Sequence, residues 1–420
     1  MTDIAKEAMA HVKRLCVDIG PRPIGSPGNQ AAADYIESIF RNAGLDVERQ
    51  SFSCPSWDHR ETILELAGRR LEATANWFSL PCDLTGTIVP VGTLDELAQA
   101  DLTGHVALLY GELTQDELSN RASTVYYPER HRETNQLLDE KLPIAVIAVC
   151  PLLNSMRHVI KDPDMDIPSA TVAPEIGLKL VRHAGQPVRL RIAAARSKGH
   201  SCNVLGKKPG TRPERVVICA HYDTVWDAPG AYDNASGVGV MLTLAQVLAS
   251  RELPVGLEFY AASAEEFTGL GADAYIRQYG LKHIPFRWDR QVGEYSEVWK
   301  PILAAINSDG VGLEVGANSV TYIAASRPFT AMAEAIRKQK YPGMVRVGPW
   351  PASDHYTFYS HGVPSIALGS VGGVMNIHHQ PIDTIQWISP VKLAEVVSLV
   401  ADVVNALQDR TSDWCRPKGA

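Results

Sequence analysis

Residues 216–262 decide the fold of this chain; they read VVICAHYDTVWDAPGAYDNASGVGVMLTLAQVLASRELPVGLEFYAA. The stretch has an apolar run at each end, Val216–Ala220 and Leu257–Ala262, both typical of buried strands. The run between them, Ser236–Ser250, has the length and the apolar spacing of a helix. A strand, a helix and a second strand form the unit from which parallel sheets are built. The sequence therefore predicts an α/β fold with a mostly parallel central sheet between layers of helices.

The same alternation extends on both sides of this stretch. Further helices are predicted at Asn29–Asn42, Gly269–Tyr279, Arg327–Lys340 and Val391–Leu407, and further strands at Ile302–Asn307 and Ser365–Leu368. Between about residues 57 and 195 the pattern changes to short strand-like runs. We therefore expect one discontinuous domain, residues 1–56 and 196–420, which would carry the chemistry, and a mostly β domain, residues 57–195, inserted into it.

The composition argues against several classes of protein. The 420 residues are 45% hydrophobic and 21% charged, as in a globular chain, and the formal net charge of -7 disfavours a nucleic-acid partner. No apolar run reaches the roughly 18 residues that span a membrane, and Met1–Arg14 lacks the apolar region of a signal peptide. The seven cysteines are scattered without a Cys-x-x-Cys motif, which predicts reduced thiols and a cytoplasmic location.

Five short segments at predicted strand ends or in loops carry residues that bind metals. They are Ala220–Asp223, Asp233–Gly237, Ala264–Glu266, Asn307–Gly310 and His378–Thr384. Ligands in parallel sheets gather at the carboxyl ends of the strands, so these segments are expected to meet. They offer His, Asp, Glu, Asp and His without a thiolate, a set that suits two catalytic divalent ions, such as zinc, better than one structural zinc.

The order of these residues also predicts roles. Asp233 lies in a loop just before a helix, where its two oxygens are expected to bridge two ions, each completed by one histidine and one acid. Glu265 is expected to take a proton from a water held between the ions and to pass it to the leaving amine. Asp223 is expected to hold the second N–H group of the His221 imidazole. Together these roles predict a metal-assisted peptide-bond hydrolase.

Three further residues are candidates for the substrate pocket. His378 adjoins His379 and is a candidate donor to a tetrahedral oxyanion. His355 and Trp350 are candidates for the wall of the pocket or for support behind the ligands. For each of the three, a role in ordinary packing or at the surface stays open.

The five segments resemble the motifs of the di-zinc exopeptidases typified by bacterial leucyl aminopeptidase, aminopeptidase Y and glutamate carboxypeptidase. The matching residues are His221 and Asp223 for His-x-Asp, Asp233–Gly237 for Asp-Asn-Ala-Ser-Gly, Glu265 and Glu266 for Glu-Glu, Asp309 after a strand, His379, Asp383 and Thr384 for His-x-x-x-Asp-Thr, and Ser353, Asp354, His355 and Phe358 for Ser-Asp-His-x-x-Phe. The resemblance implies that the metal ligands are His221, Asp233, Glu266, Asp309 and His379, and that Glu265 is the base. It favours His379 over His378 as the ligand and implies a cis peptide bond after Asp233. His378 departs from the family, because several relatives carry an oxyanion-binding tyrosine at that position.

The inserted region resembles a protease-associated domain through Gly104–Leu108 and Ile167–Ala170. The whole resemblance implies a metallopeptidase that acts on peptides from one end, with an aminopeptidase favoured. A carboxypeptidase or another amidohydrolase on the same scaffold stays open, and so does, more remotely, a binding or scaffold protein that has lost the chemistry. The side-chain preference and the oligomeric state are not determined by the sequence, and no membrane partner is expected.

Overall fold

A computed structural model describes residues 3–123, 127–282, 284, 294–350, 352–373 and 377–417. The chain folds as two compact units, one formed by Met1–Ser53 and His200–Ala420 and the other by Cys54–Gly199. The identity of the second unit as a protease-associated-like domain stays a prediction.

The described residues form strands and helices along the whole chain. The strands β1 to β14 are Asp46–Leu66, Arg69–Leu71, Thr74–Ala75, Cys82–Val91, Val106–Leu109, Ala145–Val149, Ser169–Val172, Pro187–Lys208, Arg215–His221, Gly256–Ala262, Ile302–Ser308, Ala317–Ile323, Val345–Arg346 and Ser365–Val371. The helices α1 to α11 are Asp3–Lys13, Pro27–Asn42, Leu94–Gln99, Glu129–Lys141, Pro174–Arg182, Ser236–Ala249, Leu270–Arg277, Arg327–Lys340, His355–Tyr359, Pro390–Ala406 and Ser412–Cys415.

The sheet of the first unit runs in the order β13, β12, β14, β11, β9, β10 and the end of β8. The pairs β14 with β11, β11 with β9, and β9 with β10 are parallel, and so is β12 with β13. The pairs β12 with β14 and β10 with β8 are antiparallel. The predicted mostly parallel sheet is therefore confirmed.

Helices cover both faces of this sheet because its central strands are apolar on both sides. Val216, Ile218 and Ala220 of β9 pack into one core, which also holds residues of α1, α2, α6, α8 and α10. The intervening Val217 and Cys219 belong to a second core, formed with residues of α7 and α9. Strands buried on both faces read as continuous hydrophobic runs rather than as alternating ones. That is why β9 and β10 are recognisable in the sequence.

The loop before α2 is fixed against the start of that helix. The Ser26 side chain accepts the N–H group of Asn29, and Pro27 occupies the first turn, where a proline costs no hydrogen bond. A Cβ atom on Gly28 would lie 2.2 Å from the carbonyl oxygen of Pro21, so no larger residue fits. The loop of residues 20–25 is thereby pressed onto the helix.

The second unit has a sheet of its own, in which β4, β5, β6 and β7 are parallel. The short β3 is antiparallel to β7, and residues 187–192 of β8 are antiparallel to β4. A core of its own contains Leu97 of α3 and Leu138 of α4 beside residues of β5 and β6. Within the part of the chain that the structure describes, no helix combines the length and the apolarity needed to cross a membrane.

Candidate metal centre

The five expected ligands lie at one edge of the central sheet. His221 is the last residue of β9, Asp309 directly follows β11, and Glu266 lies in the loop after β10. Asp233 lies in the turn that precedes α6, and His379 lies beyond β14. Because β9, β10 and β11 are parallel neighbours, their carboxyl ends meet at the same edge, as expected for a site in an α/β sheet.

Asp233 lies between two groups of donors, one on each of its oxygens. Its Oδ1 is 3.2 Å from Nε2 of His221, which is itself 3.5 Å from Oδ1 of Asp309. Its Oδ2 is 3.2 Å from Nε2 of His379, which is 2.9 Å from Oε2 of Glu266. The structure therefore brings all five residues together in the two sets, each of one histidine and one acid, that share the Asp233 carboxylate.

The separations within each set fit a divalent ion. Two donors about 2.0–2.2 Å from a tetrahedral zinc lie roughly 3.3 Å apart. The measured distances between donor atoms in the two sets, from 2.9 to 3.5 Å, lie on both sides of that value. The donors are imidazole nitrogens and carboxylate oxygens, which suit catalytic zinc. The residues thus fit two metal ions that share one carboxylate.

The charges of the centre also require positive partners. Burial is the largest cause that raises the pKa of Glu265 well above its usual value; Asp309, Glu266 and Asp354 raise it further, against His221. Burial alone would lower the pKa of His221, but nearby carboxylates, that of Glu265 first among them, raise it well above its ordinary value. Carboxylates crowded in this way need protons or cations as counter-charges.

Asp223 supports both the first histidine and the paired glutamates. The carboxylate of Asp223 accepts the backbone N–H groups of Glu265 and Glu266, each at 3.2 Å. Nδ1 of His221 donates to the backbone oxygen of Asp223 at 3.2 Å, and the carboxylate oxygen Oδ1 of Asp223 is 3.6 Å from the same nitrogen. This arrangement holds the Nδ1–H group of His221 and directs Nε2 towards Asp233 and Asp309, where it would face a metal.

Asp383 holds the bridging loop and was not among the functional residues expected from the sequence. Its two carboxylate oxygens accept the N–H groups of Tyr232 at 2.7 Å and of Asp233 at 3.0 Å. Burial raises the pKa of Asp383 to about 7, and these two N–H groups act in the opposite direction. Asp383 follows His379 by four residues, so it connects the loop of one ligand with the loop of another. The spacing of the His-x-x-x-Asp-Thr motif was the signal that pointed to it.

Asn234 connects the bridging residue to the loop of Asp309. The peptide bond between Asp233 and Asn234 is cis, which confirms the prediction. The side-chain oxygen of Asn234 accepts N–H groups from Gly237 at 2.9 Å and from Gly310 at 3.3 Å. Its amide donates to the carbonyl of Ser308 at 2.9 Å. One side chain thereby joins the start of α6, the end of β11 and the bridging loop.

We expect Gly237→Ala to weaken metal binding and to destabilise the fold. A Cβ atom at this position would lie 2.1 Å from the Ser308 carbonyl oxygen and 2.4 Å from Oδ1 of Asn234. Overpacking of this kind typically costs about 1–3 kcal/mol, here by moving α6 away from β11. Urea unfolding and zinc titration measure the two effects. Gly343→Ala is the matched control, because its Cβ would make only an ordinary contact of 3.6 Å. Equal behaviour of the two variants would contradict the prediction.

The three pocket candidates differ in their surroundings. His378 lies at the centre, with Nε2 2.9 Å from Oδ2 of Asp233 and its ring stacked on that of His379 at 3.6 Å. Its side chain is 34% exposed. His355 is fully buried instead.

Both ring nitrogens of His355 are occupied within the protein. Its Nε2 donates to the carbonyl of Trp350 at 2.9 Å, and its Nδ1 lies 3.2 Å from the amide nitrogen of Asn307. Burial lowers the pKa of His355 to about 4, so the ring is neutral. His355 therefore supports Trp350, whose indole packs edge-on against it at 4.7 Å, rather than offering an N–H group to a substrate.

The chain is similar to known peptidases. Residues 203–404 match the model of Peptidase family M28. The aminopeptidase YwaD of Bacillus subtilis is 27% identical over 419 residues, covering 95% of this chain and 84% of that protein. Leucine aminopeptidase 2 of Trichophyton equinum is 26% identical over 282 residues, and this chain spans about half, 54%, of its length.

Solved structures extend the likeness to the whole chain. A zinc aminopeptidase from Bacillus subtilis superposes with a TM-score of 0.74 at 25% identity and covers 98% of both chains. An aminopeptidase from an Aneurinibacillus strain has the same fold, with a TM-score of 0.70 at 23% identity, over 98% of this chain and 94% of the other. Residues 203–404 thus match peptidase family M28, and the chain is a metallo-exopeptidase.

Proposed function

We propose that this chain is a zinc aminopeptidase that releases the N-terminal residue of a peptide. The observation that carries the proposal is the position of Asp233, whose two oxygens face separate pairs of metal-binding side chains. The ligand set proposed for two zinc ions is His221, Asp233, Glu266, Asp309 and His379. The relatives named as aminopeptidases and the zinc aminopeptidase of similar fold support it.

Two divalent ions, when bound, polarise the scissile carbonyl and lower the pKa of the attacking water. The remaining steps belong to the chain's own residues. The Glu265 carboxylate accepts one proton from that water as the water oxygen bonds to the carbonyl carbon. The same carboxyl then donates this proton to the amide nitrogen as the C–N bond breaks, so that a free amine leaves and Glu265 returns to its ionised form.

The position of Glu265 follows from its backbone. Its N–H group is held by Asp223, and the next residue, Glu266, belongs to the second set of ligands. Ala264, directly before it, has a φ of 65°, in the region that residues other than glycine rarely adopt. Such backbone outliers are typical of active sites that are held in place by their surroundings. We propose that this turn directs neighbouring glutamates to different partners, one to the metal and one to the water.

The charge of the centre favours an aminopeptidase over a carboxypeptidase. Asp223, Asp233, Glu265, Glu266, Asp309 and Asp354 contribute six carboxyl groups; when all are ionised, their charge exceeds the four positive charges of two divalent ions and the one of the nearby Arg22. The charges that act most on Glu265 come from a histidine and three carboxyls, not from a lysine or an arginine. An anionic centre attracts the ammonium group of an N-terminus and repels a free C-terminal carboxylate.

A panel of short reporter peptides tests the proposal. We expect hydrolysis of leucyl and other aminoacyl anilides, loss of hydrolysis when the amino group is acetylated, and no release of a residue from the C-terminus. Chelation should abolish the activity, and added zinc should restore it. Efficient release of C-terminal residues from N-acetylated peptides would instead support a carboxypeptidase.

We also propose that the protein works in a reducing compartment such as the cytoplasm. All seven cysteines are free thiols in the structure, and six of them are buried. Thiols that persist unpaired are typical of cytoplasmic proteins. Cell fractionation followed by detection with an antibody to the chain tests this location. Recovery of the chain in the secreted fraction would contradict the proposal.

A further inference from the structure

Arg22, in the loop before α2, is a fully buried guanidinium close to the metal centre. All of its observed side-chain hydrogen bonds go to backbone carbonyls. Nε donates to Tyr222 at 2.8 Å, and Nη2 donates to Gly230 at 3.0 Å. Nη1 lies within donating distance of three further carbonyls, those of Leu15 at 3.1 Å, Gly20 at 2.8 Å and Pro229 at 2.8 Å.

Three of these carbonyls, those of Tyr222, Pro229 and Gly230, belong to the two loops that carry His221 and Asp233. Tyr222 stands directly after the ligand His221, and Gly230 stands three residues before Asp233. Nε and Nη2 are fixed to each other by the planar guanidinium, so the group sets the spacing between the two loops. Gly230 leaves no room for adjustment, because a Cβ on it would lie 3.0 Å from Nη2 of Arg22 and 2.5 Å from the carbonyl oxygen of Asp233.

The backbone of Arg22 is also hydrogen-bonded, to Thr224 and Asn29. Its N–H group donates to the hydroxyl of Thr224 at 2.9 Å. The amide of Asn29 donates to the carbonyl of Arg22 at 3.2 Å and to the hydroxyl of Ser263 at 3.2 Å. Ser263 precedes Glu265 by two residues, so the loop of Arg22 also contacts the turn that holds the paired glutamates.

Arg22 also places a positive charge beside the carboxyl groups of the centre. Burial lowers the pKa of Arg22 to about 10, against the charges of Cys16, Asp383, Asp223 and Asp233, so the guanidinium is charged at neutral pH. A buried charge is costly unless it is hydrogen-bonded, and here each guanidinium nitrogen has at least one backbone carbonyl within hydrogen-bond distance. The guanidinium also lies near the carboxyl groups of Asp383 and Asp223, which accept the backbone N–H groups around the centre.

We propose that Arg22 is a positioning residue of the metal centre, which sets the separation between His221 and Asp233 by holding the backbones of both loops. The inference rests on the proposed function, because it assigns Arg22 to the ion held by His221, Asp233 and Asp309. A lysine keeps the charge, but its single nitrogen lacks the planar fork that bonds both loops in fixed directions. The contribution of Arg22 is therefore geometric as well as electrostatic.

The test compares Arg22→Lys with Arg416→Lys. Arg416 is also buried and donates only to backbone carbonyls in its observed bonds, those of Gly362, Lys300, Trp299 and Ile302. Both variants should lower the urea midpoint of the full-length apo-protein. Only Arg22→Lys should weaken binding of one of the two ions by about 10–100-fold, the usual cost of a lost outer partner of a ligand. Titration of the apo-protein with zinc and the visible absorption spectrum of its Co²⁺ form measure this effect.

Kinetics add a second readout. Arg22→Lys should lower kcat for an aminoacyl anilide with little change in KM, since Arg22 is fully buried and out of reach of a substrate. Unchanged zinc affinities and an unchanged Co²⁺ spectrum, with a loss of stability equal to that of Arg416→Lys, would overturn the proposal.

A second pair of variants keeps the test valid if Arg22→Lys does not fold. Thr224→Val removes the acceptor of the Arg22 N–H group, whereas Thr224→Ser keeps the hydroxyl. Weaker zinc binding in the valine variant and its recovery in the serine variant support the positioning role; equal zinc affinity of both with the wild type overturns it. Failure of the proposed function appears separately, as a wild-type protein that holds two ions but does not cleave peptides with a free amine.

Discussion

Glu265→Gln is expected to lower kcat by about 10²–10⁴-fold while the protein still binds both metal ions. Glutamine keeps the volume and the hydrogen-bonding ability of the side chain, but it cannot accept the proton of the attacking water. The fall should appear in kcat rather than in KM, because the lost interaction belongs to the transition state. Steady-state kinetics on an aminoacyl anilide, together with metal analysis of the same sample, measure both parts.

Glu266→Gln is the contrast for this prediction. Its Oε2 lies 2.9 Å from Nε2 of His379 in the second set of ligands. The same change from glutamate to glutamine should therefore weaken binding of the ion at that set. Excess zinc should therefore restore part of the activity of Glu266→Gln and none of that of Glu265→Gln. If Glu265→Gln turned over at nearly the wild-type rate with its metals bound, another group would carry the proton, and His378 would be the next residue to change.

Asp233→Ala is expected to abolish tight binding of both ions, whereas His221→Ala and His379→Ala should each weaken mainly one. The reason is that Asp233 offers Oδ1 to the set with His221 and Oδ2 to the set with His379. The loss of zinc affinity in each variant should exceed the 10–100-fold loss, about the usual size, that follows removal of a residue hydrogen-bonded to a ligand. Zinc content after dialysis and calorimetric titration of the apo-protein give the stoichiometry for each variant.

Thermal stability offers an independent measure of the same prediction. A ligand that binds only the folded state stabilises it by about 4.1 kcal/mol at a concentration of 1,000 times Kd. Excess zinc should therefore raise the Tm of the wild type strongly, that of His379→Ala partly and that of Asp233→Ala hardly at all. Retention of one tightly bound ion by Asp233→Ala would show that this carboxylate serves a single site and does not bridge.

Elements whose pattern is local were predictable from the sequence. The helix predicted at Arg327–Lys340 has the same bounds in the structure, because its apolar face repeats at helical spacing and Ser326 caps its start by accepting an N–H group. The strands predicted at Val216–Ala220 and Leu257–Ala262 correspond to β9 and β10, which are apolar on both faces. In each case, a short window of residues contains the whole signal.

The strand β12, Ala317–Ile323, was not predicted, because its sequence mixes polar and apolar residues. Asn318 is buried there, since its oxygen accepts the N–H group of Gly312 and its amide donates to the carbonyl of Lys392. These partners lie on other segments of the chain, so the sequence of β12 alone does not predict them. The two-residue strand β13 depends in the same way on its pairing with β12.

The sequence by itself determined the fold class and the residues that meet at the centre. The ligand types, their order and their place at strand ends are local features, and parallel strands carry their carboxyl ends to one edge. The tertiary structure alone decided which oxygen of Asp233 faces which histidine, that Asp223 and Asp383 hold backbone N–H groups, and that His355 supports Trp350. These roles depend on the directions of N–H and carbonyl groups contributed by segments up to about two hundred residues apart, as between Arg22 and Gly230. Such directions are fixed only when the whole chain has folded.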